Sequence, residues 1–501
     1  MDLAAGIALG LETALTAEAL LFCLIGVTLG MLIGVLPGIG ALAAVSMVLP
    51  VTFHFEPIPA VIMLAGIFYG SQYGGSVASI LLNLPGTAPN AVTCLDGYPM
   101  TRQGRAGVAL FVTTITSFVG GSLAILLLMG FAPVLGQFAL RFSSAEFFSL
   151  MLLGLVAASA LSLGSPIKGL AMVVLGLALG LVGMDVNSGA IRFTFGIVEL
   201  VDGLNLIAVA MGLFGVAEIL ANTSQRSGLT VDPRSITLRS MLPTRDDMRR
   251  SFWPTLRGAS VGSLVGILPG AGPSIAAFMS YALEKKVSRE PERLGTGAVE
   301  GVAAPEAANN ASVQAAFIPT LSLGIPGDAT MAILLAAMMM HGILPQPQFF
   351  NTQPELFWGL VMSFWIGNLI LLVLNIPLIG LWVRILTIPY RVLFPAILFF
   401  ICVGVYSVNN NPFDIFVVMV FGVIGYVMRI FRYPAAPLLM GFILGPMMEE
   451  HFRRALLFSR GDVMTFVERP ISAGFLALAA LLLILSLVPM LRRATRRGLA
   501  G

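Results

Sequence analysis

Gly34-Val35-Leu36-Pro37-Gly38-Ile39-Gly40 and Gly266-Ile267-Leu268-Pro269-Gly270-Ala271-Gly272 carry one pattern, and each interrupts an apolar run that would otherwise continue as helix. Proline removes a backbone donor and collides with the preceding turn, while glycine lets the chain turn back and expose its amides. A second pair of breaks follows downstream, Asn83-Leu84-Pro85-Gly86-Thr87 and Leu323-Gly324-Ile325-Pro326-Gly327-Asp328-Ala329-Thr330. The first breaks stand 232 residues apart (Gly34 to Gly266) and the second 241 (Pro85 to Pro326), which reads as an internal duplication with a small insertion. Inside a bilayer, broken backbone is tolerated only where protein or a water-filled cavity satisfies it. Paired Gly/Pro interruptions in two halves point to a transporter's binding site.

Composition places the breaks in a membrane. Of 501 residues, 57% are hydrophobic and 11% charged, against about a quarter charged in a soluble domain. Runs such as Phe357 to Val383 and Ile471 to Met490 reach the roughly 20 residues that span a bilayer. The net charge of +3 comes from scattered arginines, not from a basic patch of the nucleic-acid-binding kind. The first seventeen residues carry Asp2 and Glu12 but no Lys or Arg, so the first helix is expected to be retained instead of being cleaved as a signal peptide. Three isolated cysteines and three scattered histidines give no zinc, haem or disulfide spacing.

The distribution of Lys and Arg relates the halves. Thr52 to Pro57 has none and Arg102 and Arg105 follow the second break, whereas Lys285, Lys286, Arg289 and Arg293 follow the third break and Leu344 to Glu355 has none. Because such residues stay cytoplasmic, the halves are expected to be inverted relative to one another. The first-break segments then become re-entrant hairpins entering from opposite sides. The expected architecture is an all-α polytopic membrane protein of two inverted-topology repeats with Pro-Gly-broken helices and re-entrant hairpins, with about 10–14 membrane segments. Its parts are a first repeat over 1–222, a cytoplasmic polar linker over 223–252, a second repeat over 253–450, and a connecting loop with a C-terminal transmembrane helix over 451–501. One loop departs from the charge pattern: Arg453, Arg454 and Arg460 fall outside if Leu438 to Met448 crosses the membrane, and if that segment is interfacial the C-terminus moves outside instead.

Breaks expose helix N-termini, whose free amides and positive dipole ends favour anions. The expected substrate site therefore takes Pro37, Gly38 and Gly40, then Pro85, Gly86 and Thr87, from the first half. From the second it takes Pro269, Gly270, Gly272, Pro326, Gly327 and Thr330. Ser76, Asn83, Asn309 and Asn310 stand beside the breaks and join it, although such residues also cap helices and bond across interfaces. The carbonyl ends before the breaks, at Leu36, Asn83, Leu268 and Gly324, are candidate cation ligands. Asp328 joins them, because an intramembrane carboxylate costs about 3 kcal/mol and is a functional candidate by default. Glu300 and Glu306 read as solvated groups near the interface, and Asp96 as the cap of the turn before Gly97-Tyr98-Pro99. No catalytic constellation is legible: a serine enzyme needs a positioned base, and no Gly-x-x-x-x-Gly-Lys-Ser/Thr loop is present for ATP-driven uptake.

With the Leu-Pro-Gly breaks, Tyr73-Gly74-Gly75-Ser76, Asp96-Gly97-Tyr98-Pro99-Met100, Ala304-Pro305-Glu306-Ala307-Ala308-Asn309-Asn310 and Gly324-Ile325-Pro326-Gly327, the chain resembles the large membrane subunit of the tripartite tricarboxylate transporters, the TctA family. The resemblance covers nearly the whole chain, including Gly441 to Asp462. It implies a bacterial inner-membrane importer of citrate-like or other carboxylates, driven by a Na+ or H+ gradient and needing no cofactor. It also implies two partners, a small TctB-like membrane subunit and a periplasmic TctC-like solute-binding protein. A passive anion channel and an intramembrane enzyme stand as the alternatives.

Overall fold

The computed structural model describes residues 3–36, 40–139, 141–160, 165–185, 188–222, 236–345, 349–386 and 390–498. It is helical almost throughout. The first half runs α1 (Leu3–Ala14), α2 (Ala17–Val35), α3 (Gly40–Thr52), α4 (Pro57–Leu82), a 3-10 turn (Ala88–Ala91), α5 (Cys94–Arg102), α6 (Ala106–Ala139), α7 (Ser144–Ala160) and α8 (Pro166–Gly180). A two-stranded antiparallel ribbon, β1 (Gly183–Met184) with β2 (Ile191–Arg192), precedes α9 (Leu206–Ala210), a π-helical turn (Met211–Val216) and α10 (Ala217–Asn222).

The second half runs α11 (Arg245–Gly266), α12 (Gly272–Val287), α13 (Glu300–Ala315), α14 (Phe317–Leu323), α15 (Ala329–Met340), α16 (Phe349–Thr352), α17 (Pro354–Asn375), α18 (Ile379–Ile385) and α19 (Tyr390–Asn409). It closes with α20 (Pro412–Ile430), α21 (Ala435–Phe458), α22 (Thr465–Glu468) and α23 (Pro470–Gly498).

Among the described residues, four helical stretches are long and apolar enough to cross a membrane: Ala17–Val35, Ala106–Phe131, Pro354–Asn375 and Pro412–Ile430. Shorter apolar helices, α3, α7, α8 and α15 among them, accompany these, as broken spans would. Length, apolarity and repetition together make this a multi-pass membrane protein.

The core is built on two helices buried on every side, α4 from Pro59 to Leu81 and α13 along its full length. Each is held by a ladder of glycines on the preceding long helix. A Cβ on Gly26, Gly30 or Gly34 of α2 would lie 2.4, 2.5 or 2.2 Å from the carbonyls of Met63, Ile67 and Ser71 on α4. A Cβ on Gly258, Gly262 or Gly266 of α11 would lie 2.1, 2.2 or 2.5 Å from those of Ala304, Ala308 and Ser312 on α13. The glycines match at an offset of 232 and their partners at 241, so both offsets read from the breaks recur in the packing. Small residues every fourth position let helix backbones touch where lipid gives no hydrophobic drive for association.

Three boundaries differ from the sequence reading, each for a local reason. The helix α11 starts at Arg245, inside the stretch read as linker, because Thr244 and Asp247 form a reciprocal capping box. The run Phe357 to Val383 divides between α17 and α18, with Pro377 in the turn between them. The helix α21 continues to Phe458, into the stretch read as a connecting loop. There Glu449 pairs with Arg453 at 2.6 Å and Glu450 with Arg454, both at i,i+4 spacing. Arg453 and Arg192 further tie α21 to the ribbon through Asp185 and Glu449.

Asp96 is not the cap of a neighbouring turn. It lies in the first turn of α5, fully buried, and accepts the backbone N–H groups of Gly295, Gly297 and Ala298 at 2.8–3.0 Å and the Tyr281 hydroxyl at 2.9 Å. A carboxylate from the first half thus fastens the loop that leads into α13.

Candidate functional site

Four breaks meet around one cavity of about 630 Å³. Its wall takes Gly40 and Ala41 from the first break, Pro85 to Pro89 from the second, Gly270 to Ile275 from the third, and Asp328 to Thr330 from the fourth. Sites for small molecules typically enclose about 300–1,000 Å³, mostly apolar with a few convergent polar groups. Here Phe68, Phe214, Ile275 and Met440 supply apolar surface, while Gln72, Thr87, Ser274 and Thr330 supply polar groups. The charged groups of the wall are Asp328, Glu218 and Arg429, and the last two are joined by an ion pair. Arg432 and Tyr433 line a smaller recess that shares Glu218, Arg429 and Pro434 with the cavity.

Helix starts converge on this space. The first residues of α3, α12 and α15 all stand in the wall. The start of α15 is capped by Asp328, whose Oδ1 accepts the Met331 N–H at 2.8 Å. At α12, Pro273 stands in the first turn and no side chain caps the helix. The termini of α3 and α12 therefore present positive dipole ends to whatever occupies the cavity.

Of the residues expected from sequence, Gly40, Pro85, Gly86, Thr87, Gly270, Gly272, Asp328 and Thr330 line the cavity. Pro37 and Gly38 lie outside the described residues. Pro269, Pro326 and Gly327 shape the breaks without reaching the wall, and the Gly327 carbonyl is taken by the Gly270 N–H at 2.9 Å. Leu36, Asn83, Leu268 and Gly324 are also absent from the wall. Asn83 and Gly324, an offset of 241 apart, are both left-handed C-caps with φ of 58° and 67°. The Leu268 carbonyl closes a turn with the Ala271 N–H at 3.2 Å.

Ser76, Asn309 and Asn310 are buried behind the cavity, in the helix core. The surprise there is Glu306, 1% exposed on α13 and not at an interface. Ser76 donates to its Oε2 at 2.6 Å, Asn90 to its Oε1 at 3.1 Å, and Thr93 also to Oε1. Glu300, by contrast, pairs with Arg250 at 3.2 Å. Gln72, Glu218 and Arg429 were missed as wall residues, because single polar residues inside ordinary helical runs carry no local signal. The alanines around Glu306 in Pro305-Glu306-Ala307-Ala308-Asn309-Asn310 mark a small-residue packing helix but not the side on which its carboxylate lies.

A family model for the Tripartite tricarboxylate transporter TctA family matches residues 20–440. An uncharacterized 52.8 kDa protein of the TAR-I ttuC' 3' region of Agrobacterium vitis is 50% identical over 492 residues, 98% of each chain. An uncharacterized protein of the TAR-II ttuC' 3' region of the same organism is 54% identical over 231 residues, 46% of this chain and 96% of its own. No solved structure matches. The family model spans well over half of the sequence, and this chain belongs to the tripartite tricarboxylate transporter TctA family.

Proposed function

We propose that the chain is the large transmembrane subunit of a binding-protein-dependent secondary transporter, importing tricarboxylates or related carboxylates across a bacterial inner membrane on a Na+ or H+ gradient. The observation that carries this reading is the cavity walled by all four breaks, with the uncapped start of α12 and the Arg429 guanidinium, paired with Glu218, in its wall. Two broken halves around one shared cavity suit alternating access, in which one half rocks against the other. On the charge pattern of the sequence the halves are inverted and the side carrying Lys168, Arg429 and Arg432 is cytoplasmic, which puts the Arg429 part of the cavity wall toward the cytoplasm. Asp328, on the wall, serves cation coupling beyond its role as a cap. A chain with no large extramembrane domain among its described residues relies on a periplasmic binding protein to capture dilute substrate and on a small membrane subunit as partner.

The test is uptake of a panel of labelled carboxylates into proteoliposomes holding this chain and both partners, with Na+ and H+ gradients imposed separately. Gradient-driven accumulation that requires the binding protein is the expected result. Equilibrative flux indifferent to gradients assigns a channel, and peptide cleavage without uptake assigns an enzyme. Cysteines at Ala41 and Ser274, which line the cavity without the positive φ of Gly40 and Gly272, should be protected from alkylation by the transported substrate. Equal labelling with and without saturating substrate removes the cavity from the reading.

A further inference from the structure

Behind the cavity lies a polar cluster that transport of an anion does not by itself explain. Glu306, like the buried Asp96 and Asp414, has no ion pair among the described residues, whereas the buried Glu146, Asp185, Asp247, Glu284 and Glu300 each meet an arginine. Four separate elements serve it instead: Ser76 of α4, Asn90 of the 3-10 turn, Thr93 before α5, and Ser117 of α6, whose hydroxyl lies 3.4 Å from Oε2. One turn further along α13, Asn309 is 1% exposed and neither its Oδ1 nor its Nδ2 has a hydrogen-bond partner. The i,i+3 spacing sets it beside Glu306 on the helix surface. On α6, Thr113 stands one turn before Ser117 and is also buried, with its hydroxyl toward Glu306.

We propose that this cluster is a binding site for a monovalent cation, Na+, with Glu306 as its one charged ligand and the oxygens of Ser76, Thr93 and Asn309 as neutral ligands. Hard cations take oxygen ligands, and a hydroxyl that donates to a carboxylate can turn its lone pairs to a cation instead. One carboxylate neutralises one positive charge; a divalent ion would leave a net charge buried, which is costly. A proton would need only the carboxylate and would leave Asn309 unexplained.

The cluster reaches the cavity through a short chain of contacts. Asn90 Nδ2 donates to Ser76 Oγ at 2.9 Å, and the Thr87 hydroxyl bonds Asn90 Oδ1 and lies 2.9 Å from Gln72 Oε1. Thr87 and Gln72 are wall residues. A cation at Glu306 therefore fixes the second break, and with it one side of the substrate cavity. That coupling role rests on the transport reading; the cation site does not.

The deciding experiment is binding of ²²Na+ to the purified full-length chain in lipid nanodiscs, with no substrate, gradient or partner present. The expected result is saturable binding displaced by unlabelled Na+ but not by equal Mg²+ or Ca²+. Glu306→Gln should weaken it at least tenfold, while Glu292→Gln, at an exposed carboxylate far from the cluster in sequence, leaves it within twofold. The doubly substituted Ser76→Ala, Thr93→Val chain keeps the carboxylate and should weaken binding several-fold, which decides the matter if Glu306→Gln does not fold. Absence of saturable binding, displacement by divalent ions, or wild-type affinity in the variants overturns the proposal. Because uptake is not measured, failure of the transport reading and failure of this site are separate outcomes.

Discussion

The backbone N–H of Gly270 donates to the carbonyl of Gly327 at 2.9 Å, locking the third break to the fourth. Gly270 has φ of +79°, and a Cβ there would lie 2.4 Å from the Ala158 nitrogen on α7. Gly270→Ala combines left-handed strain with a backbone collision and should abolish uptake. Gly40 also has positive φ, +72°, but open space around it, so Gly40→Ala incurs only the left-handed cost of about 1–2 kcal/mol. Uptake by the two variants at matched membrane levels checks the ordering; equal activity would mean that the contact between the breaks does not matter.

The glycine ladder predicts a stability contrast. Gly262→Ala places a methyl 2.2 Å from the Ala308 carbonyl and should cost about 1–3 kcal/mol through forced separation of α11 and α13. Gly130→Ala on α6 meets nothing within 4 Å and should be neutral or slightly stabilising. Thermal unfolding of the two variants in one detergent distinguishes them.

At the cavity wall, Arg429→Gln removes the cation that pairs with Glu218 and, on the transport reading, meets a substrate carboxylate. Loss of one charge-assisted hydrogen bond, about 1.5–3 kcal/mol, corresponds to a KM raised tenfold or more. Glu218→Gln should lower KM instead, since the competing carboxylate is gone. Initial rates over a range of substrate concentrations read both; an unchanged KM in Arg429→Gln takes the arginine out of recognition.

Asp328→Asn retains an oxygen that can accept the Met331 N–H and so keeps the cap of α15 while removing the charge. The variant should insert and melt like wild type, yet accumulate less substrate and show an altered dependence on Na+ or pH. Accumulation and ion dependence identical to wild type would leave Asp328 as a cap only.

At the polar start of α11, burial works to raise the Asp247 carboxyl, but bonds from Thr244 and from Arg105 at 2.5 Å outweigh it and hold the group below its ordinary value. A carboxyl depressed in the folded state contributes stability above its unfolded pKa of about 3.9, and loses it as pH falls through the lower folded value. Melting temperatures of wild type and Asp247→Asn should therefore differ most above about pH 5 and converge below about pH 3. A gap that persists at low pH would assign the effect to packing.

The sequence by itself determined the breaks, the helices between them and the duplication. Proline's missing N–H and glycine's freedom act within a turn or two, and a ladder of small residues repeats at fixed offsets wherever it packs. Those local rules placed Gly40, Thr87, Gly272 and Thr330 at a cavity before any helix had been set beside another. Tertiary structure alone decided that Glu306 is buried, that Asp96 fastens the loop before α13, and that Glu218 and Arg429 join the wall. A carboxylate reads identically in sequence whether water or four donors from distant elements surround it. Its environment belongs to the packing of α4, α6 and α13, which meet only in the folded chain.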